Sequence, residues 1–292
     1  MPVLPPRHVP GIPAGPPSPT ASHAHQSAPA SATAPSLQAD RLAIGWKQGR
    51  EERTLARDIR FSVYPGHLVA LIGPNGAGKS TLLRTIAGLL PPLAGSLDIL
   101  GTSFHTLDAT ERATMIACVF NERFDAGYFT VEEIVAFGRY PYTSARLRMS
   151  DEDRSQIRKA LELTGMAGFG GRRYASLSDG EKQKVQLARA VAQQTPILLL
   201  DEPTAFLDAP SRIEIFHLAG QLAQVEQKSI VLCTHEIDLA LKHADELWIF
   251  DQTHRFSAGS PYVISRSGLI GKAFDTATVH FDALSGSFRA RQ

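Results

Sequence analysis

The sequence predicts an α/β fold built on a mainly parallel sheet, and two observations carry the prediction. Short apolar runs of strand length recur along the chain, at residues 67–72, 196–200, 229–233 and 246–250. Stretches with helical spacing, such as RIEIFHLAGQLA, alternate with them. Strands of a parallel sheet are covered on both faces, so they are apolar throughout, and their alternation with helices is typical of α/β domains.

Length and composition set broad limits on the protein. A chain of 292 residues predicts one core with an appended subdomain, and 43% apolar with 20% charged residues is ordinary for a globular protein. A net charge of +1 does not favour nucleic-acid binding. Cys118 and Cys233 are too few for a disulfide framework or a metal knuckle, which favours a reducing compartment. No run of eighteen apolar residues occurs, so any membrane role is expected to come through a partner.

The composition also predicts how the chain is divided. Residues 1–39 consist mostly of Pro, Ala, Ser, Gly and His, without apolar periodicity, and predict a disordered tail that lacks the pattern of a secretory signal. A globular domain is expected from 40 to 289, with a β-rich beginning in RLAIGW and IRFSVYPG. Residues 129–165 are mostly helical in pattern. There the SxxD pattern of Ser150 and Asp153 resembles a capping box ahead of an apolar helix face.

A glycine-rich loop predicts a phosphate-binding site. Gly73, Gly78, Lys79 and Ser80 satisfy GxxxxGKS, between an apolar strand and a helical stretch. Backbone N–H groups of such a loop close around phosphate oxygens, and the helix that follows directs its positive end at them. Lys79 is expected to reach the β and γ phosphates of ATP, and Ser80 to bind Mg²⁺. The complete predicted nucleotide-binding loop is Gly73, Pro74, Asn75, Gly76, Ala77, Gly78, Lys79, Ser80 and Thr81.

The second half of the predicted site is an acidic pair at the end of an apolar strand. In PILLLDEP, apolar residues lead to Asp201 and Glu202, and burying carboxylates is unfavourable unless they have partners. Asp201 is expected to hold Mg²⁺ through water, and Glu202 to act as the general base on the attacking water. Taken alone, the same residues fit a strand that ends in a helix-capping aspartate. The phosphate loop upstream makes the catalytic interpretation the better one.

Five motifs, in the order GPNGAGKST, LSDGEKQK, ILLLDEP, AFLD and CTHE, resemble the nucleotide-binding subunits of ATP-binding cassette (ABC) transporters. The resemblance covers about residues 40–289. It implies a P-loop ATPase (RecA-like) core, a β-rich N-terminal subdomain and an inserted helical subdomain at about 122–180. It also implies that two copies sandwich two ATP molecules head to tail, so that hydrolysis needs a dimer.

The resemblance assigns further site residues by position. Ser178 and Gly180, in the signature LSDGE, are expected to contact the γ phosphate held by the opposing subunit. Asp208 of AFLD falls at the dimer interface, and His235 of CTHE falls where a histidine supports the attacking water. Trp46 falls where the family stacks an aromatic ring on adenine, although a buried core tryptophan is the alternative.

The sequence departs from the family at two places. Where the family has a glutamine that binds Mg²⁺, this chain has Asn121, whose side chain is one methylene shorter, and Glu122 is the alternative ligand. In the signature, Asp179 and Glu181 replace the commoner Gly and Gln. Because a carboxylate repels a triphosphate, Asp179 is expected to point away from the nucleotide.

Two stretches, FTVEEIVAFGRYPYT and VHFDALSGSFR, resemble importers of iron-siderophores, haem and cobalamin. The resemblance implies a peripheral subunit on the cytoplasmic face of the inner membrane, with an integral-membrane permease and, indirectly, an extracytoplasmic binding protein as partners. Tyr140, Pro141 and Tyr142 fall where the permease docks, or else form a local turn. An exporter subunit and a regulatory ATPase without a permease remain alternatives. A coiled-coil DNA-repair ATPase is excluded by the short spacing between loop and signature, and a two-cassette translation factor by the single cassette.

Overall fold

The computed structural model describes residues 34–48, 51–121, 127–143 and 148–291. Most of the predicted tail and the alternative ligand Glu122 lie outside these ranges. Strand β1 (Leu37–Gln48) includes residues 37–39, which the composition places in the predicted tail. Leu37 is fully buried and pairs with Val63 on one side and Ile99 on the other, so burial begins earlier than the composition indicates.

A six-stranded sheet forms the centre of the fold. Its strands are β3 (Leu68–Ile72), β6 (Ile116–Val119), β7 (Ile197–Asp201), β8 (Ser229–Cys233), β9 (Glu246–Phe250) and β10 (Phe256–Gly259). They run in the order β10-β9-β3-β8-β7-β6, and every neighbouring pair is parallel except β10 with β9. Every residue of β3, β7 and β8 is buried. The predicted α/β class with a mainly parallel sheet is confirmed.

A smaller antiparallel sheet contains the N-terminal strands. Its members are β1, β2 (Glu51–Val63), β4 (Ala94–Ile99) and β5 (Thr102–Ser103), in the order β2-β1-β4-β5. Buried apolar residues of β1 and β2 form one hydrophobic cluster with Val69 and Leu71 of β3 and Trp248 and Phe250 of β9, and Ala77 of the phosphate loop belongs to it. A separate hairpin of β11 (Val279–Asp282) and β12 (Ser287–Ala290) follows near the C-terminus.

Nine α-helices lie in the described ranges. They are α1 (Lys79–Ile86), α2 (Ala109–Met115), α3 (Val131–Ala136), α4 (Asp151–Leu163), α5 (Asp179–Ala192), α6 (Ala209–Gln224), α7 (Ile237–His243), α8 (Pro261–Arg266) and α9 (Leu269–Phe274). Helix α1 ends before the predicted proline stop, because Gly88 turns the chain with a φ of 77°. Within the described ranges, none of the helices has the length and apolarity that a bilayer crossing requires.

Helices α3 and α4 lie within residues 122–180, the range predicted for the inserted helical subdomain. Ser150 caps α4 as expected: its hydroxyl accepts from the Asp153 N–H at 3.1 Å, and its own N–H donates to the Asp153 carboxylate at 2.9 Å. On the predicted apolar face of α4, Ile157, Ala160 and Leu161 belong to a second hydrophobic cluster, which includes residues of α3 and α5, and Thr164 is also buried. Helix α4 therefore begins at the predicted cap and buries the predicted apolar face.

A buried ion pair connects α4 with the segment that follows α3. The Arg139 Nε donates to Asp153 Oδ1 at 2.9 Å, and the two side chains are only 4% and 7% exposed. The same guanidinium donates to the Ala192 carbonyl at 2.7 Å and to Gln194 Oε1 at 2.6 Å. Arg139 thus links the segment after α3 to α4 and to the end of α5.

Asp153→Ala is expected to lower the free energy of unfolding by about 3 kcal/mol or more, because it leaves the Arg139 charge buried without its partner. Urea denaturation followed by circular dichroism measures the change. Asp151→Ala is the matched control, since Asp151 is exposed and its ion pair with Arg154 spans 3.6 Å. That control should change the free energy by less than about 0.5 kcal/mol. Equal losses in the two variants would contradict the role of the buried pair.

Candidate functional site

The phosphate loop connects β3 to α1 with a backbone that requires glycine at two points. Gly73 has a φ of 154°, and a Cβ there would lie 2.9 Å from the Phe250 carbonyl oxygen. Gly78 has a φ of 114°, and its Cβ would lie 3.1 Å from the Leu55 side chain. Because residues of β9 and β2 lie directly against the loop, a side chain at position 73 or 78 would displace the loop.

Lys79 lies within this loop. Its side chain is buried, and the ammonium donates to the carbonyls of Gly73 at 2.8 Å and Pro74 at 3.1 Å. A buried ammonium needs such partners. Lys79 is also the first residue of α1, so the positive end of the helix and the positive side chain lie at the same place. The loop is therefore suited to a polyanion.

Ser80 and Asp201 bring two oxygens together beside the loop. The Ser80 hydroxyl donates to Asp201 Oδ1 at 3.2 Å, across 121 residues of sequence. Burial at the end of β7 raises the pKa of Asp201, although the bond from Ser80 acts in the opposite direction. A buried carboxylate whose charged form is disfavoured is stabilised by a nearby cation, and hydroxyl and carboxylate oxygens are ligands that Mg²⁺ accepts. These two residues fit the predicted metal site.

Glu202 receives contacts from the ends of two neighbouring strands. His235, which follows β8, places Nε2 at 2.8 Å from Glu202 Oε1. Asn121, which follows β6, places Nδ2 at 3.5 Å from Glu202 Oε2. The Glu202 backbone has a φ of 51° and its N–H donates to the Cys233 carbonyl at 3.0 Å. The sheet therefore brings three of the predicted site residues together at its carboxyl edge.

The assignment of Asn121 as a magnesium ligand stays a prediction. Its amide nitrogen contacts Glu202, and binding Mg²⁺ together with Ser80 and Asp201 would use its amide oxygen. The contact follows from strand order, since β6 lies beside β7 and both strands end at the same edge. The sequence alone did not place β6 next to β7, so this contact was not predicted.

The signature begins helix α5, with Ser178 as its N-cap. The Ser178 hydroxyl accepts from the Glu181 N–H at 3.3 Å and donates to the Glu181 carboxylate at 3.0 Å, while the Ser178 N–H donates to the same carboxylate at 2.8 Å. These bonds lower the pKa of Glu181, and Arg172 lies 3.6 Å from its other oxygen. The capping role of Glu181 was missed, although the S-x-x-E pattern was present in the sequence.

Asp179, by contrast, faces solvent. Its side chain is 72% exposed and lies 3.5 Å from the Lys182 ammonium, one helical turn further along. Gly180 faces helix α6, where a Cβ would lie 3.2 Å from the Ser211 hydroxyl. Asp208 caps that helix by accepting from the Ser211 N–H at 3.0 Å, and hydrogen bonds from Ser211, from its side chain first and its N–H second, lower the pKa of Asp208. The signature and the AFLD segment are thus neighbours on one surface.

The aromatic side chains that are predicted to contact adenine or the permease are partly exposed. Trp46 is half-buried near the end of β1, with the Arg53 guanidinium carbon 5.3 Å from its ring centroid, so it is not a core residue. Tyr140 is 51% exposed. Tyr142 packs locally: its hydroxyl donates to the Gln193 carbonyl at 2.9 Å, and Arg139 lies over its ring.

Comparison with known proteins finds relatives that are ATP-binding proteins of transporters. The family described as ABC transporter matches residues 56–205. The chain is 40% identical over 218 residues to the cobalamin import ATP-binding protein BtuD of Halobacterium salinarum, covering 75% of this chain and 54% of that protein. It thus spans about half the length of that relative. It is 31% identical over 238 residues to the ferric enterobactin transport ATP-binding protein FepC of Escherichia coli, covering 82% and 86% of the two chains.

A solved structure shares the fold as well. The dimeric structure of a post-hydrolysis state of an ATP-binding cassette, bound to ADP and Pi, superposes with a TM-score of 0.66 at 26% identity. The match covers 77% of this chain and 98% of that one. Together with the phosphate loop, the acidic strand end and the signature helix, these likenesses establish that the chain belongs to the ABC transporter family and has the ATP-binding cassette fold.

Proposed function

We propose that this chain is the ATP-hydrolysing subunit of an ABC importer that takes up an iron-siderophore, haem or cobalamin. The observation that carries the hydrolytic part is the position of Glu202 beside Asp201, with its carboxylate held by His235 at 2.8 Å. The import direction and the cargo class are supported by the names of relatives, which include cobalamin and ferric enterobactin transport proteins.

The proposed reaction uses the loop to bind the phosphates of ATP and the strand ends to activate water. Free backbone N–H groups of the phosphate loop and the Lys79 ammonium bind the phosphate oxygens. Ser80 and Asp201 would hold Mg²⁺, which would neutralise charge on the phosphates. Glu202 accepts the proton of the attacking water. His235 orients that carboxylate through Oε1, and Oε2, which has the longer contact from Asn121 at 3.5 Å, is the oxygen proposed to accept the proton.

The signature is proposed to act on the nucleotide of a second copy. The hydrogen-bond partners of the Ser178 hydroxyl both belong to Glu181, in its own helix. The hydroxyl can therefore keep accepting from the Glu181 N–H while it turns its hydrogen from the carboxylate to a phosphate of the partner. The positive end of α5 favours the same anion. Asp208 and Gly180, which lie near Ser211, would then belong to the same interface.

The proposed assembly is a homodimer on the cytoplasmic face of the inner membrane, bound to an integral-membrane permease. An extracytoplasmic binding protein would deliver the cargo to that permease. ATP-driven closure of the dimer would reorient the permease, and hydrolysis would reopen it. An exporter subunit and a regulatory ATPase without a permease are the two competing proposals.

Glu202→Gln is expected to reduce ATP turnover at least about 100-fold, because an amide cannot accept the proton of the attacking water. ATP binding should persist, and the variant should remain a closed dimer in ATP. Phosphate release measures turnover, and analytical ultracentrifugation measures the dimer. Turnover at the wild-type rate would remove Glu202 as the base.

The transport direction can be tested with the same variant. In cells that depend on this chain, Glu202→Gln should abolish uptake of radiolabelled cobalamin or ferric siderophore, and the wild-type chain should copurify with a multi-span membrane protein. Unchanged uptake with lost efflux would favour an exporter. ATPase activity without any copurifying membrane protein would favour the regulatory alternative.

Ser178→Arg and Asp179→Gly are expected to differ sharply in their effect on ATPase activity. Arginine at 178 removes the hydroxyl and fills the space for phosphate, so ATPase activity should be lost. Glycine at 179 removes only an exposed side chain that pairs with Lys182, so activity should stay within about threefold, consistent with the small effect of exposed ion pairs. Steady-state ATPase assays measure both. Equal damage by the two variants would contradict the outward orientation of Asp179 in the working dimer.

A further inference from the structure

The turn between β9 and β10 lies behind the phosphate loop and contacts it through His254. The His254 Nδ1 lies 3.2 Å from the carbonyl oxygen of Ala77, although 177 residues separate the two in sequence. A carbonyl oxygen only accepts hydrogen bonds, so Nδ1 carries the hydrogen and donates. His254 is half-buried and has a φ of 62°, a left-handed conformation that few residues other than glycine adopt.

The turn itself is held by Asp251. One oxygen of its carboxylate accepts from the N–H of Thr253 at 2.8 Å and from the N–H of Arg255 at 3.0 Å. The His254 N–H donates to the Asp251 carbonyl at 3.1 Å. Strand β9 ends at Phe250, whose carbonyl also abuts Gly73. A rigid turn therefore directs the imidazole at the loop.

The contact fixes the orientation of one peptide group in the loop. In a trans peptide the carbonyl and the N–H of the following residue point in opposite directions. Because His254 holds the Ala77 carbonyl on the side of the β9–β10 turn, the Gly78 N–H is aimed away from that turn. Within the described part of the chain, that N–H donates to no protein acceptor. It is therefore available for a phosphate oxygen.

We propose that His254 is a positioning residue for nucleotide binding, which acts by orienting the Ala77–Gly78 peptide toward the phosphates. This inference rests on the proposed binding of ATP at the loop, and it adds a residue that lies in none of the five motifs. The turn has no catalytic contact of its own. Its contribution is to hold the loop in its binding form before nucleotide arrives.

Two substitutions at position 254 distinguish the effect of the hydrogen bond on ADP binding from the effect of the left-handed backbone. His254→Gly removes the donor while favouring the left-handed backbone. His254→Asn keeps a donor at the same bond distance from Cα, since the Asn Nδ2 and the His Nδ1 are both attached to Cγ, and Asn also tolerates this conformation. Thr253→Ala is the matched control, because its hydroxyl contacts Asp251 and not the loop.

The experiment is calorimetric titration of ADP into each purified full-length variant, with thermal unfolding as a check on folding. His254→Gly should weaken ADP binding by about 3- to 10-fold, the range expected for one hydrogen bond, without lowering the unfolding midpoint. His254→Asn should recover most of that loss, and Thr253→Ala should stay within about twofold of wild type.

Two results would overturn the inference. One is a His254→Gly variant that binds ADP as tightly as wild type, and the other is a His254→Asn variant as weak as the glycine variant. Failure of the wild-type chain to bind ADP would instead refute the proposed function, so the two failures are distinguishable.

Discussion

Parallel pairing of β6, β7 and β8 is the constraint on which the site depends. Because parallel strands end at the same edge of a sheet, pairing brings Asn121 and His235 each within contact of Glu202. The neighbouring pair of β3 and β8 places the phosphate loop at that same edge. No segment of the chain carries the site alone, and a change in strand order would disperse it.

The site holds features that are unfavourable for a structure without a ligand. Lys79 and Asp201 are both buried, and burial raises the pKa of Asp201 because its charged form is poorly solvated. Glu202 is held with a positive φ, which few non-glycine residues adopt. Strained and poorly solvated groups of this kind cluster at functional sites. Their coincidence with a phosphate loop favours a charged, metal-bound ligand over a purely structural role.

Local chemistry accounts for what the sequence predicted well. The phosphate loop, the apolar strands and the cap at Ser150 each depend on residues within a few positions of one another, so their patterns were visible. Strand β1 was placed too late because its first residues are covered by partners distant in sequence, which composition does not reveal.

The remaining contacts depend on strand order and could not be predicted from local pattern. The contact of Asn121 with Glu202 spans 81 residues, and that of His254 with Ala77 spans 177. The buried pair of Arg139 and Asp153 is closer in sequence, but nothing in the local pattern shows that both side chains are buried or that Arg139 reaches the end of α5. Glu181 is the exception, since its capping pattern could have been recognised.

The central claim is that each ATP site is shared between two copies. Differently tagged chains would be purified as heterodimers in a Glu202→Gln background, and the ATP that each heterodimer retains through gel filtration would be measured. One chain carrying Lys79→Ala paired with one carrying Ser178→Arg leaves one shared site intact, so about one ATP per heterodimer is expected. A chain with both substitutions paired with one that has neither leaves no shared site and should retain none. Retention of about one ATP by the second heterodimer and none by the first would place each complete site within a single chain and contradict the account.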